Sequence, residues 1–70
     1  MTDYEVFFDG QMKTAPAHRY YMDCKSKISA LYKIKDDAKA CRAKGFLVKI
    51  VNGKYVGQWA RRNERWYKEW

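Results

Sequence analysis

Apolar and polar residues alternate along Phe46-Leu47-Val48-Lys49-Ile50-Val51 and again along Lys54-Tyr55-Val56-Gly57-Gln58-Trp59, with Asn52-Gly53 between the two runs. Such runs flanking Asn-Gly predict a hairpin closed by a two-residue type I′ turn, because both turn positions need positive φ and Asn and Gly tolerate it best. A two-residue turn sets the register. Val51 stands opposite Lys54, Ile50 opposite Tyr55, Lys49 opposite Val56, Val48 opposite Gly57, Leu47 opposite Gln58 and Phe46 opposite Trp59. Phe46, Val48, Ile50, Tyr55, Gly57 and Trp59 then share a core face, and Leu47, Lys49, Val51, Lys54, Val56 and Gln58 lie on the other.

Upstream, Tyr4–Phe8 predicts a first strand closed by Asp9-Gly10. Residues 11–18, with Thr14-Ala15-Pro16-Ala17, read as a loop or an edge and as a candidate contact loop. Arg19–Lys25 predicts a second strand, with Tyr20, Met22 and Cys24 on one face and Arg19, Tyr21 and Asp23 on the other. Ser26-Lys27 reads as a short turn. In Ile28–Lys35 the residues Ile28, Ala30, Tyr32 and Ile34 alternate, which predicts a third strand; a helix there would put Lys35 on the apolar stripe. Asp36 then reads as an N-cap, with Asp37 in the first turn of a helix over 37–44 that ends at Gly45. Residues 60–70 are expected to form a short helix, with Trp59, Asn63, Trp66 and Trp70 on one stripe. A strand reading sets Arg65, Tyr67 and Glu69 against Trp66, Lys68 and Trp70.

Together these elements predict a single α+β domain over residues 1–70. One antiparallel sheet of four to five strands, in the order β-β-β-α-β-β, carries one short helix on one face and a C-terminal aromatic and basic extension. The face carrying Lys49, Lys54 and Gln58 is expected to stay open to solvent or a partner. The first strand and the hairpin would offer sheet edges.

Charge changes this picture most. The net charge is +7, yet Asp3, Glu5 and Asp9 make the first ten residues acidic, and all fifteen Lys and Arg lie in the remaining sixty. Such a balance favours an anionic partner: nucleic acid, a nucleoprotein or an acidic protein surface. Aromatics make up 17% of the chain, more than so small a core can hold, so some rings should stand near the surface beside the cations. Arg61, Arg62, Arg65 and Lys68 adjoin Trp66, Tyr67 and Trp70. Lys49 and Lys54 on the hairpin and Lys39 and Arg42 on the helix extend the basic set. Trp66 and Trp70 serve equally well to enlarge the core.

Candidate chemistry is sparse. Cys24 and Cys41 lack the spacing of a metal site or a disulfide scaffold. Asp36-Asp37 suits helix capping better than metal, and Cys41 suits a core position. His18, the only histidine, could serve a small ribonuclease but reads more simply as a loop residue. No catalytic, metal or cofactor site is expected. The N-terminus shows no signal pattern and no run is long enough to cross a bilayer, so a cytoplasmic location is expected.

The first expectation for function is therefore a small non-enzymatic binding protein that docks on nucleic acid or a nucleoprotein. Trp, Tyr and Arg also suit protein interfaces, and a second copy pairing through sheet edges or the aromatic tail is a further candidate partner. In size and general build, though in no motif, the chain resembles the small inhibitor proteins of bacteriophages, anti-CRISPR proteins among them. That resemblance implies a protein that blocks a host nucleic-acid-processing complex in the host cytoplasm.

Overall fold

The computed structural model describes residues 1–10 and 18–70; the expected contact loop at 11–18 lies outside the described residues except for His18, which is not a loop residue but opens a strand by pairing with Phe7. The chain order is β1 (Thr2–Gly10), β2 (His18–Cys24), α1 (Lys27–Ala40), β3 (Ala43–Ile50), β4 (Tyr55–Arg62) and β5 (Arg65–Lys68). The strands form one five-stranded sheet in the order β2-β1-β3-β4-β5, with every neighbouring pair antiparallel. The α+β class, the single antiparallel sheet and the one helix on one face are thus as the sequence indicates.

The expected third strand over 28–35 is helix instead, and the reason is topological. β2 and β3 both run antiparallel to β1, so they are parallel to each other and need a crossover of about a dozen residues. The eight residues of a helix over 37–44 are too few, whereas α1 spans 14. Ser26, not Asp36, is the N-cap: its Oγ accepts the Ser29 N–H at 3.1 Å. Ala30, Ile34 and Ala38 recur every fourth residue and form the buried stripe. Asp36 and Asp37 lie inside the helix. It stops at Cys41, after which Arg42 takes a left-handed φ of 58°. Gly45 is not a cap but a strand residue, where a Cβ would meet the Trp59 carbonyl oxygen at 2.6 Å.

The hairpin register holds over Phe46–Trp59, Leu47–Gln58 and Val48–Gly57, then shifts, so that Lys49 pairs with Tyr55. Gly53 N–H donates to the Ile50 carbonyl at 2.8 Å, which centres the turn on Val51 and Asn52, and Asn52 carries the left-handed φ of 55°. Tyr55 therefore moves off the core face and is exposed. The two-residue turn with both φ positive occurs at Asn63 (51°) and Glu64 (64°), between the paired residues Arg62 and Arg65. It makes residues 60–70 a strand extension, not a helix.

The core lies between α1 and the sheet. Val6, Phe8, Phe46 and Val48 meet Ala30, Ile34 and Ala38. Phe46 also stacks on Trp59 (5.3 Å, 14°) and meets Trp66 at 5.0 Å, carrying the core sideways beyond the helix. The sheet edges are β2 and β5; β1 and the β3–β4 hairpin lie inside.

Candidate nucleic-acid interface

Pairing assigns each side chain to a side of the sheet. Val6 pairs with Arg19, Tyr4 with Tyr21, Arg61 with Trp66 and Trp59 with Lys68, so Arg19, Arg61 and Lys68 point to the helix side. Together with Lys27, Lys33, Lys35 and Lys39 of α1 they place seven cations there, and α1 carries two acids, Asp36 and Asp37. Asp37 is already engaged: its Oδ2 accepts from Tyr21 Oη at 2.6 Å and from Arg19 Nη1 at 3.1 Å. Burial first, then the Asp37 bond and charge, push the Tyr21 hydroxyl far above its usual range. This tie fixes one flank of α1 over β2.

The opposite flank carries Ile28, Leu31, Tyr32 and Lys35, at helical spacings of three, one and three. It lies away from the β2 flank, and the helix packs chiefly on β3, β2 and β1. Ile28 and Tyr32 are each 68% exposed. On the same side of the sheet stand Trp66, Arg61 and Lys68. The Arg61 guanidinium carbon lies 6.0 Å from the centre of the Trp66 ring, and Lys68 Nζ lies 5.7 Å from that of Trp59. Held on a ring face, each cation keeps its stem ordered while its N–H groups remain turned to solvent. Lys27, Lys33, Lys35, Lys39, Arg61 and Lys68 make no ion pair among the described residues.

The open side differs. It presents Asp3, Glu5, Phe7 and Asp9 from β1, His18 and Tyr20 from β2, Leu47 and Lys49 from β3, Gln58 and Arg62 from β4, and Arg65 and Tyr67 from β5. Its charges largely satisfy one another. His18 Nε2 lies 2.6 Å from Glu5 Oε2, Lys49 Nζ 3.7 Å from Glu5 Oε1, and Arg62 Nη2 2.8 Å from Glu69 Oε1. Burial works to raise the Glu5 carboxyl, but bonds from His18 and Tyr20 and the charges of His18 and Lys49 hold it below its usual range. The Glu5 bond raises the Tyr20 phenol in turn. His18 stacks on Phe7 (4.5 Å, 6°). A phosphate held between an acid and a base here would have to part the His18–Glu5 pair. That counts against the ribonuclease arrangement.

The basic residues singled out from sequence are therefore divided. Arg61, Trp66 and Lys68 face the helix side, with Lys39 on α1 and Arg42 at its end. Lys49, Arg62, Arg65 and Tyr67 face the open side. Trp70 lies there too, its Nε1–H donating to Gln58 Oε1 at 2.9 Å, and Lys54 sits in the β3–β4 connection. Lys27, Lys33 and Lys35 fall outside the set read from sequence, because a strand over 28–35 carries Lys33 and Lys35 on the sheet, with Lys27 in the turn before it, and not on one element with Lys39. The signal that finds them is the four-residue recurrence of Ala30, Ile34 and Ala38, which turns them all onto one helical element. Among the described residues no group of three metal-ligating side chains converges, and no helix is long and apolar enough to cross a membrane. No known protein family, curated protein or solved structure matches the chain.

Proposed function

We propose that the protein is a non-enzymatic nucleic-acid-binding module that takes the phosphate backbone on its helix side. The observation that supports this reading is the sidedness of charge: α1, Arg19, Arg61 and Lys68 bring seven cations to one side, where α1 carries two acids, and six of the seven make no ion pair among the described residues. Phosphate contact needs several Lys or Arg on one surface, and rings beside them allow base stacking. Tyr32 on α1 and Trp66 on β5 are rings on that side of the sheet.

The test is titration of labelled single- and double-stranded DNA and RNA at several salt concentrations. Affinity should fall linearly on a log–log plot, losing about 0.7–0.9 in slope for each phosphate neutralised. Lys35→Glu with Lys39→Glu should weaken binding and flatten the slope, whereas Arg62→Glu with Arg65→Glu, on the other side, should leave both nearly unchanged. Absence of binding at low salt, or equal losses from the two pairs, would overturn the reading. A stoichiometric protein partner that survives nuclease treatment would put the inhibitor reading in its place.

A further inference from the structure

The open side of the sheet, which the nucleic-acid reading leaves unused, fits a second copy of the same chain. We propose that two chains associate face to face through this side, about a two-fold axis running along β3.

The argument starts from symmetry. β3 is the middle strand of five, with β1 and β2 on one side and β4 and β5 on the other. A two-fold axis along β3 lays the β1 of one copy over the β4 of the other, and β2 over β5, while Leu47 meets its own counterpart. Such an interface must complement itself. At one end of the sheet the charges do so: Asp9 stands on β1 level with Gly45 and Ala60, and Arg65 stands on β5 just beyond that level. Glu5, His18 and Lys49, on β1, β2 and β3, already pair with one another. Asp9 and Arg65 make no ion pair among the described residues. Both lie toward the Gly45 end of the sheet, on opposite sides of β3, so the axis brings each within reach of the other twice.

The surface is also apolar enough. Phe7 is 37% exposed, Tyr20 56% and Tyr67 45%, around a half-buried Leu47. Five strands about 4.8 Å apart and some 20–25 Å long present on the order of 500 Å² in projection. That is comparable with the ~800 Å² of accessible surface per partner in a stable complex, since a corrugated face exceeds its projection. Two sheets would then pack aligned, with the basic helix sides turned outward.

Sedimentation equilibrium on nucleic-acid-free protein, at rising concentration, tests this independently of any nucleic-acid binding. The expected result is a reversible shift to twice the 8.4 kDa chain mass. Leu47→Lys, which sets like charges on the axis, should give monomer with an unchanged circular dichroism spectrum. Asp9→Lys and Arg65→Glu are surface changes that leave folding intact. Each alone should weaken association by about tenfold, and the two together should restore it. Monomer up to millimolar concentration would overturn the proposal. So would a dimer indifferent to Leu47→Lys, which would point to pairing at the β2 or β5 edge, or a failure of the double charge swap to rescue.

Discussion

Beneath α1 the sheet is sealed by small and aliphatic side chains, whereas the neighbouring β4–β5 ribbon is sealed by rings and the stems of long cations. Ala30, Ile34 and Ala38 close over Val6 and Val48 on the first half. On the second, buried Trp59 stacks on Phe46, which also meets Trp66, and the Lys68 ammonium lies over the Trp59 ring. The cause is one of width. A helix is about 10 Å across, and five strands cover about 24 Å, so one helix cannot roof the sheet. The strands left outside must cover themselves, and large rings capped by Lys and Arg do this while leaving charge at the surface. In this chain the same residues that complete the core therefore form part of the basic side.

The comparison is broken most severely at Phe46, which belongs to both halves. Phe46→Ala should cost about 3–5 kcal/mol in urea unfolding, because it opens a cavity against Phe8, Trp59 and Trp66 together. A loss confined to one half would show that the halves are separate units. Gly57→Val should separate them. A Cβ at Gly57 would lie 2.5 Å from the Trp70 carbonyl oxygen and 2.9 Å from Lys68 Cε. The expected cost is about 1–3 kcal/mol, with amide exchange accelerating along β5 but not in α1. Equal acceleration in both would refute the distinction.

The smallest effect tests the helix-covered half alone. Tyr21→Phe removes the bond to Asp37 and should cost about 1 kcal/mol at neutral pH. The Tyr21 hydroxyl titrates above its unfolded value in the folded chain, so folding retains a proton that the unfolded chain releases. Stability from this group is complete below about pH 10 and is lost as pH rises beyond it. The wild type should therefore lose stability above that point more steeply than Tyr21→Phe. Tyr20, raised by Glu5, leaves the variant a smaller slope of its own. Parallel alkaline curves for the two proteins would remove the Tyr21–Asp37 tie from the account.

Much of the fold was legible wherever period-two alternation met turn residues, as in Phe46–Val48 against Gly57–Trp59. It was misread where one segment satisfied two periods. Ile28, Ala30, Tyr32 and Ile34 alternate, but Ala30, Ile34 and Ala38 also recur at four, and only the need to cross β1 decides between them. Turn chemistry misled in the same way. Asn52-Gly53 carries the stronger local signal, yet hydrogen bonds from Gly53 to Ile50 and from Val51 to Asp3 pull that turn back by one residue. Asn63-Glu64 adopts the strained geometry because the β4–β5 pairing requires it. The basic surface was legible in composition, but its side was not, since sidedness depends on which element carries Lys27, Lys33 and Lys35.

The central place of β3 also bears on the order of assembly. It follows α1 in the chain, yet it joins β1, far behind it, to β4 just ahead, through Phe8 against Phe46 and Phe46 against Trp59. Until it docks, β1 and β2 form a lone ribbon, unstable in water, and α1 is close to the shortest helix that survives unaided. A nascent or refolding chain therefore gains little lasting order from its first forty residues, and the distant closure onto β1 governs how fast the whole molecule appears.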